Sequence, residues 1–197
     1  DGCAQRVAED EALRLRVLAT AGNGKTFVAR HFFDKALTAG ERPLLLCYNR
    51  PLKERLKHLA HDGGLVETWY GFCDQFLKSR GTALDFAAMY TDPEFWAKVA
   101  QRVSDAALTT SAAGDWLFDT LIVDEAQDFE AGWFDIVRLF LRDDASILWL
   151  EDPNQNVRGV TDAPLFEELG FVGYHSMLNY RSPASIAELI RRALPDF

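Results

Sequence analysis

Short apolar runs alternate with amphipathic segments along most of this sequence. The runs are rich in Leu, Val and Ile and predict strands, whereas the segments between them have helical periodicity and several end at glycine. The predicted strands cover residues 16–20, 43–48, 65–68, 120–124, 146–150 and 171–177. The predicted helices cover residues 25–39, 52–60, 71–80, 94–107 and 133–141. This alternation indicates an α/β fold, in which helices flank a parallel sheet.

Residues 82–118 interrupt the alternation, because they contain one helical pattern and no convincing strand. We interpret them as a small helical insertion in a domain that residues 1–81 and 119–177 form. Residues 178–197 are then the start of a second domain or a linker helix. The chain begins without Met and ends directly after a helix-like run, so we expect it to be part of a longer protein.

Composition limits the classes of function that the chain can have. No apolar run is long enough to cross a bilayer and no signal-like segment opens the sequence, so we expect a cytoplasmic protein. Cys3, Cys47 and Cys73 lack the close pairing of zinc sites or disulfide frameworks, which favours reduced thiols. The formal net charge of −9 restricts any nucleic-acid contact to a local basic patch.

Residues 19–26 read ATAGNGKT and fit the phosphate-loop pattern, except that Ala19 stands in place of its first glycine. Glycines let successive backbone N–H groups point inward, and the helix that follows adds its positive dipole end. We expect Lys25 to reach the β- and γ-phosphates of a nucleotide and Thr26 to ligate Mg²⁺. The expected backbone contacts are Ala21, Gly22, Asn23 and Gly24. The alternative is a glycine turn with a chance lysine.

Residues 121–129 read LIVDEAQDF, so an apolar strand ends in two adjacent carboxylates. Ligands of open α/β sheets bind at this end of the strands. Asp124 is expected to hold Mg²⁺, and Glu125 to orient and deprotonate an attacking water. The alternative is an acidic turn in which Asp128 caps a helix. We expect the tips of this strand and of the first strand to be adjacent, with Lys25, Thr26 and both carboxylates facing one cleft.

A basic cluster follows Tyr48 and consists of Arg50, Lys53, Arg55 and Lys57. A basic helix beside an aromatic ring can follow the phosphates of a single strand while the ring stacks on a base. The alternative is a solvated helix face with no ligand. Trp69, Phe72 and Phe76 recur at helical spacing, which favours core positions, although Trp69 at a strand end can also serve as a platform for a base.

With ATAGNGKT and VDEAQD in one chain, the sequence resembles the UvrD/Rep type of superfamily 1 helicases. Further segments match in the order of that family: 44–56 (LLLCYNRPLKERL), 66–72 (VETWYGF), 149–159 (WLEDPNQNVRG) and 178–182 (LNYRS). The resemblance runs from about residue 5 to about residue 193 and omits most of 82–118, which would correspond to a reduced accessory domain. Tyr70 replaces the usual histidine, and the later motifs, with a second catalytic arginine, are absent.

The resemblance implies a RecA-like P-loop NTPase fold with ATP and Mg²⁺ as cofactors. It implies that hydrolysis is coupled to movement along single-stranded DNA, or RNA, in the 3′ to 5′ direction, together with a second RecA-like domain that this chain lacks. It assigns γ-phosphate contacts to Gln155 and Arg181, and adenine contacts to Tyr180 and Gln5. The implied nucleic-acid contacts are Tyr48, Asn49, Arg50, Lys53, Trp69 and Tyr70.

Without a second domain to hold the Arg181 segment, we expect this chain to bind ATP but to hydrolyse it slowly. Two other classes of function stay open at this point. One is a degenerate helicase domain that binds nucleotide or a partner without turnover. The other is a different P-loop enzyme, such as a nucleotide kinase.

Overall fold

The computed structural model describes residues 13–20, 22, 24–109, 115–155 and 164–176. The strands are β1 (Arg14–Ala19), β2 (Pro43–Cys47), β3 (Leu65–Thr68), β4 (Phe118–Asp124), β5 (Leu141–Glu151) and β6 (Val172–Ser176). The α-helices are α1 (Lys25–Thr38), α2 (Arg50–Leu56), α3 (Trp69–Ser79), α4 (Phe95–Thr109) and α5 (Ala131–Arg138). Short 3₁₀ turns cover Lys57–Asp62, Ala88–Tyr90, Ala126–Asp128 and Pro153–Gln155.

The strands form one 6-stranded sheet in the order β3-β2-β4-β5-β1-β6. Every strand pair is parallel, so the predicted α/β fold with a parallel sheet is confirmed, and it is compatible with a RecA-like fold. β5 lies between β1 and β4, so these two strands do not pair directly. Parallel strands nevertheless bring the carboxyl ends of β1, β4 and β5 to the same edge.

Two hydrophobic clusters cover the two faces of the sheet. Alternate residues of β2 belong to different clusters: Leu44 and Leu46 face one, whereas Leu45 and Cys47 face the other. The first cluster contains buried residues of α3, α4 and α5, and the second contains those of α1 and α2. Helices on both faces explain why the strands read as nearly continuous apolar runs.

Helices α2 and α3 begin two residues earlier than predicted, at side-chain caps. The Asn49 side chain accepts a hydrogen bond from the Leu52 N–H at 2.9 Å. The Thr68 hydroxyl accepts one from the Gly71 N–H at 3.1 Å. Thr68 is the last residue of β3, so α3 follows this strand directly, and only Tyr48 and Asn49 separate β2 from α2.

The predicted helix 133–141 ends at Arg138, and β5 begins at Leu141 instead of residue 146. The early part of β5 pairs Leu141 with Phe118 and then shifts register. Its polar side chains include Arg142, whose guanidinium donates to Asp119 at 2.8 Å. This stretch is mostly exposed, so it lacks the apolar alternation from which a strand is predicted.

The part of residues 82–117 that the structure describes contains a 3₁₀ turn and α4, and no strand. Phe95, Val99 and Val103 of α4 are buried in the cluster that includes α3 and α5. Trp96 stacks on Tyr70 of α3, with ring centroids 3.8 Å apart. This helical segment therefore packs onto the sheet domain. The domain boundaries given above stay predictions.

The two cysteines within the described residues, Cys47 and Cys73, are buried free thiols. Burial raises the pKa of the Cys47 thiol to about 12, and the nearby Asp124 and Glu67 charges act in the same direction. Burial also raises the pKa of Cys73. Both side chains are therefore protonated at neutral pH, and Cys3 lies outside the described residues.

Across the ranges that the structure describes, no helix has both the length and the apolar character needed to cross a bilayer.

Candidate nucleotide site and adjacent groove

The loop after β1 has glycine where the backbone adopts left-handed conformations. Gly22 has a φ of 86° and Gly24 a φ of 80°, values that other residues adopt rarely. Gly24 is the N-cap of α1, so the chain turns from the loop into the helix at Lys25. Gly24 therefore ends the loop at a helix N-terminus, where a phosphate can meet free N–H groups. Ala21 and Asn23 lie outside the described residues.

The ammonium group of Lys25 lies among oxygens at the ends of β1 and β5. Its Nζ donates to the carbonyls of Ala19 at 2.7 Å and Thr20 at 3.2 Å. It is also 3.6 Å from a carboxylate oxygen of Asp152, and both side chains are buried. Asp152 therefore compensates the charge of Lys25. A phosphate group would compete with these oxygens for the ammonium.

Thr26 and Asp124 meet at the sheet edge. The Thr26 hydroxyl donates to Asp124 Oδ2 at 3.0 Å, and Asp124 Oδ1 accepts from the Glu125 N–H at 3.0 Å. Burial raises the pKa of Asp124 to about 6, the Glu125 charge adds to this rise, and the two hydrogen bonds oppose it. A hydroxyl and a carboxylate are oxygen ligands of the type that Mg²⁺ prefers.

Among the described residues, no group of three or more His, Cys, Asp or Glu side chains is arranged to hold a metal ion. Mg²⁺ commonly takes only one or two protein ligands and completes its shell with water and substrate phosphates. The Thr26 and Asp124 pair fits that mode, because both oxygens stand beside the loop expected to hold phosphate.

Glu125 has a strained backbone. With a φ of 57° it is the one non-glycine residue with positive φ in the part of the chain that the structure describes. Such a conformation costs on the order of 1–3 kcal/mol and is often found at functional sites. Its carboxylate accepts a hydrogen bond from the Gln127 side-chain amide at 2.9 Å. The turn separates the environments of the two carboxylates, since Asp124 is buried and Glu125 is half-buried.

A cavity of about 470 Å³ opens beside these groups. Its lining from the sheet edge is Thr26, Glu125, Gln127, Asp128 and Gln155, and its lining from the α2 side is Tyr48, Asn49, Pro51, Leu52 and Arg55. The structure thus brings Thr26, Glu125 and Gln155 to one cavity, with Asp124 hydrogen-bonded to Thr26 behind it.

A second cavity, which we call the groove, has a volume of about 760 Å³. Its walls come from α2, α3 and the helical segment, and they are Tyr48, Arg50, Lys53, Glu54, Glu67, Thr68, Tyr70, Gly71, Asp74, Gln75, Lys78, Phe86, Met89, Tyr90 and Trp96. Tyr48 lines both cavities and is 40% exposed. Helix α2 separates them: Leu52 and Arg55 face the first cavity, whereas Arg50 and Lys53 face the groove.

A buried carboxylate lies beneath the groove. Glu67 accepts hydrogen bonds from Lys53 Nζ at 2.7 Å, from Gln75 Nε2 at 2.6 Å and from the Thr68 N–H at 2.8 Å. A side chain at position 71 would collide with this carboxylate, which explains Gly71. The charge of Lys53 is therefore compensated within the protein, whereas Arg50 is exposed.

The prediction that Trp69 contacts nucleic acid is wrong for this structure. The alternative prediction, that Trp69 is a core residue, is correct. Only 4% of Trp69 is exposed, because α3 begins at this residue and directs it into the core. Its ring stacks on Trp133 at 5.4 Å and meets Phe129 edge-on at 5.8 Å. Tyr70, the next residue, is half-buried and lines the groove.

Several predicted site residues lie outside the described residues: Gln5, Ala21, Asn23, Tyr180 and Arg181. Two residues of the site were not predicted. Asp152 directly follows the strand β5, and Asp124 is the last residue of the strand β4; an aspartate at the end of an apolar run is therefore the signal that identifies it. Gln127 lies within the VDEAQD segment, but nothing in the sequence shows that its amide joins Glu125 to the Asp152 backbone.

No protein-family model matches the chain, and a search of curated proteins found no match.

Proposed function

We propose that this chain is the ATP-binding domain of a superfamily 1 helicase-type motor, which couples ATP hydrolysis to movement along single-stranded DNA. The observation that carries the proposal is the 3.0 Å hydrogen bond between the Thr26 hydroxyl and Asp124, at the same sheet edge as Lys25. Two separate motifs, distant in sequence, supply these residues. Their meeting at the carboxyl ends of parallel strands supports a nucleotide site.

Each residue has a role that follows from its present contacts. When a nucleotide binds, the Lys25 ammonium leaves the backbone carbonyl of Ala19 and the carboxylate of Asp152 and binds phosphate oxygens instead. Thr26 and Asp124 offer oxygens to Mg²⁺, which, when bound, supplies positive charge to the phosphates. Glu125 borders the cavity, where its carboxylate can orient a water and accept a proton from it. Gln155 borders the same cavity, and we assign it to the γ-phosphate.

The nucleic-acid part of the proposal rests on α2. This helix borders the candidate catalytic cavity with one face and the groove with the other, and Tyr48 borders both. Arg50 is exposed in the groove wall, where aromatic rings of the helical segment also stand. An exposed cation beside aromatic rings suits single strands, whose phosphates and unstacked bases are both accessible. The 3′ to 5′ direction and the second RecA-like domain come from the family resemblance alone.

The test is a titration of the chain with a fluorescent ATP analogue in Mg²⁺. Lys25→Ala should weaken binding by roughly 10- to 100-fold, because a charge-assisted hydrogen bond is lost. Lys35→Ala removes an ammonium from the same helix, α1, and should leave the affinity unchanged. Equal affinities for the two variants, or no binding by the unmodified chain, would refute a nucleotide site at Lys25.

Turnover separates a motor from a module that only binds. Glu125→Gln should keep ATP·Mg²⁺ affinity and slow hydrolysis by roughly 10² to 10⁴. Single-turnover hydrolysis, with the chain in excess over radiolabelled ATP, measures even a slow basal rate. If the unmodified chain shows no hydrolysis above a blank without protein, the alternative without turnover is correct. Equal, measurable rates in the two chains would instead refute the role of Glu125.

A further inference from the structure

Gln127 uses both ends of its side-chain amide within the candidate site. It lies in the 3₁₀ turn Ala126–Asp128, which Glu125 separates from the end of β4. Its Nε2 donates to Glu125 Oε2 at 2.9 Å, and its Oε1 accepts from the backbone N–H of Asp152 at 3.0 Å. One side chain therefore joins the segments that follow the neighbouring strands β4 and β5.

The segment after β5 carries other contacts of the site. The Asp152 carboxylate is 3.6 Å from Lys25 Nζ, and its Oδ1 accepts from the Asn154 N–H at 3.0 Å. The Asp152 carbonyl accepts from the Gln155 N–H at 3.1 Å. Gln127 thus connects the Glu125 carboxylate to the backbone that meets Lys25 and orients Gln155.

Among similarly shaped side chains, glutamine suits this position because its amide has a donor and an acceptor. The Glu125 carboxylate requires a donor, and the Asp152 N–H requires an acceptor. Glutamate at position 127 would keep an acceptor for Asp152 but would place a second carboxylate against Glu125. Methionine has a similar shape and replaces neither strong hydrogen bond. The two bonds can therefore be removed together or one at a time.

Glu125 needs such support because its backbone is strained. The hydrogen bond from the Glu125 N–H to Asp124 Oδ1 holds the main chain, but it leaves the side-chain torsions free. The Gln127 amide is the contact that holds the carboxylate itself. A misplacement of about 1 Å at a reacting group can reduce the rate roughly 100-fold.

We propose that Gln127 is a positioning residue, which fixes the Glu125 carboxylate against the backbone of Asp152 and so keeps it aligned with the segment that contacts Lys25. This inference rests on the proposed function, in which Glu125 acts on the attacking water. A phosphate that draws Lys25 away from Asp152 leaves the bond between Gln127 and the Asp152 N–H in place. Glu125 then stays aligned while the lysine changes partners.

The test uses Gln127→Met, with Gln101→Met as the control at an exposed glutamine of α4. In the nucleotide-free chain, hydrogen exchange of the Asp152 amide should accelerate about fivefold in Gln127→Met, because a bond worth roughly 1 kcal/mol is lost. Affinity for ATP·Mg²⁺ should stay within about twofold, whereas single-turnover hydrolysis should slow by roughly 10- to 100-fold. Gln101→Met should change none of these quantities.

Gln127→Glu separates the two hydrogen bonds. It should preserve protection of the Asp152 amide and still slow hydrolysis, since the bond to Glu125 is lost and a second carboxylate faces Glu125. It also replaces Gln127→Met if thermal unfolding shows that the latter does not fold. Normal hydrolysis by Gln127→Glu would overturn the proposal.

A double-mutant cycle distinguishes positioning from a general structural role. In a Glu125→Gln background, Gln127→Met should cause no further loss of rate, because the residue through which it acts is already changed. A further loss equal to that in the unmodified background would overturn the proposal, as would an equal loss of ATP·Mg²⁺ affinity. Failure of the unmodified chain to bind ATP·Mg²⁺ would instead refute the proposed function, and this inference with it.

Discussion

At the scale of single residues, Asp124 is the carboxyl group among the described residues whose ionisation the fold opposes most. Burial raises its pKa from 3.8 to about 6, so the folded chain holds a proton in this range that the unfolded chain has released. The stability contributed by this group is greatest at acidic pH and falls as pH rises from about 4 to about 6. Above pH 6 the ionised carboxylate costs the metal-free fold on the order of 3 kcal/mol.

We therefore predict that Asp124→Asn stabilises the metal-free chain above pH 6 and has little effect near pH 4. Urea unfolding at both pH values should show a gain of up to about 3 kcal/mol in the free energy of unfolding at the higher pH only. Asp135→Asn, at an exposed position of α5, is the control and should give no pH-dependent gain. A gain of the same size at both pH values would contradict the assigned cause.

The individual site residues differ in how far the sequence could reveal them. Thr26, Asp124 and Glu125 belong to local patterns whose chemistry depends on short spacings, so they could be selected before the fold was known. The partnership of Asp152 with Lys25 depends on β5 lying beside β1, and the bond from Gln127 to Asp152 depends on β5 lying beside β4. Strand order is a long-range property, and no local pattern states it.

At the scale of elements, α2 has two faces with different surroundings. Arg50 and Lys53 line the groove, whereas Leu52 and Arg55 line the cavity that contains Glu125. In the sequence these basic residues form a single cluster. In the helix they separate, because residues three or four apart share one face and their neighbours lie on another. The proposed strand contact is therefore assigned to one face of the helix.

This difference predicts separate effects for two arginines of α2. Arg50→Glu should weaken binding of a single-stranded oligonucleotide and reduce the slope of log affinity against log salt by about one, while ATP·Mg²⁺ affinity stays unchanged. Arg55→Glu should instead change nucleotide affinity, because its side chain borders the cavity that contains Glu125. Fluorescence anisotropy over a range of salt concentrations measures both effects.

The control for both variants is Arg30→Glu, an exposed arginine on α1 that pairs with Asp34. It makes the same change in net charge and should leave the oligonucleotide affinity nearly unaffected. If Arg30→Glu weakens binding as much as Arg50→Glu does, the effect is one of total charge, and the groove has no specific role.

At the scale of the whole molecule, the hydrophobic periodicity of the sequence was sufficient to predict the α/β fold class. All six predicted strands have counterparts in the sheet, and β1 to β5 each contain buried apolar residues, whereas Val172 of β6 is exposed. Periodicity did not reveal that the helical segment around α4 shares the core of the sheet domain, because an amphipathic helix reads the same whichever surface it covers. In the structure, Val103 of α4 is completely buried in the cluster that contains Phe76 and Phe134.

A shared core predicts that α4 unfolds together with the sheet. Val103→Ala removes buried methyl groups and should lower the free energy of unfolding by roughly 1–3 kcal/mol. Near-ultraviolet dichroism, which reports on the tryptophans of this cluster, and far-ultraviolet dichroism, which reports on the sheet and helices, should show one coincident transition at a lower urea midpoint. Leu108→Ala, at an exposed position of the same helix, should leave that midpoint unchanged. Two separate transitions, with only one moved by Val103→Ala, would show instead that the segment is an accessory domain with stability of its own.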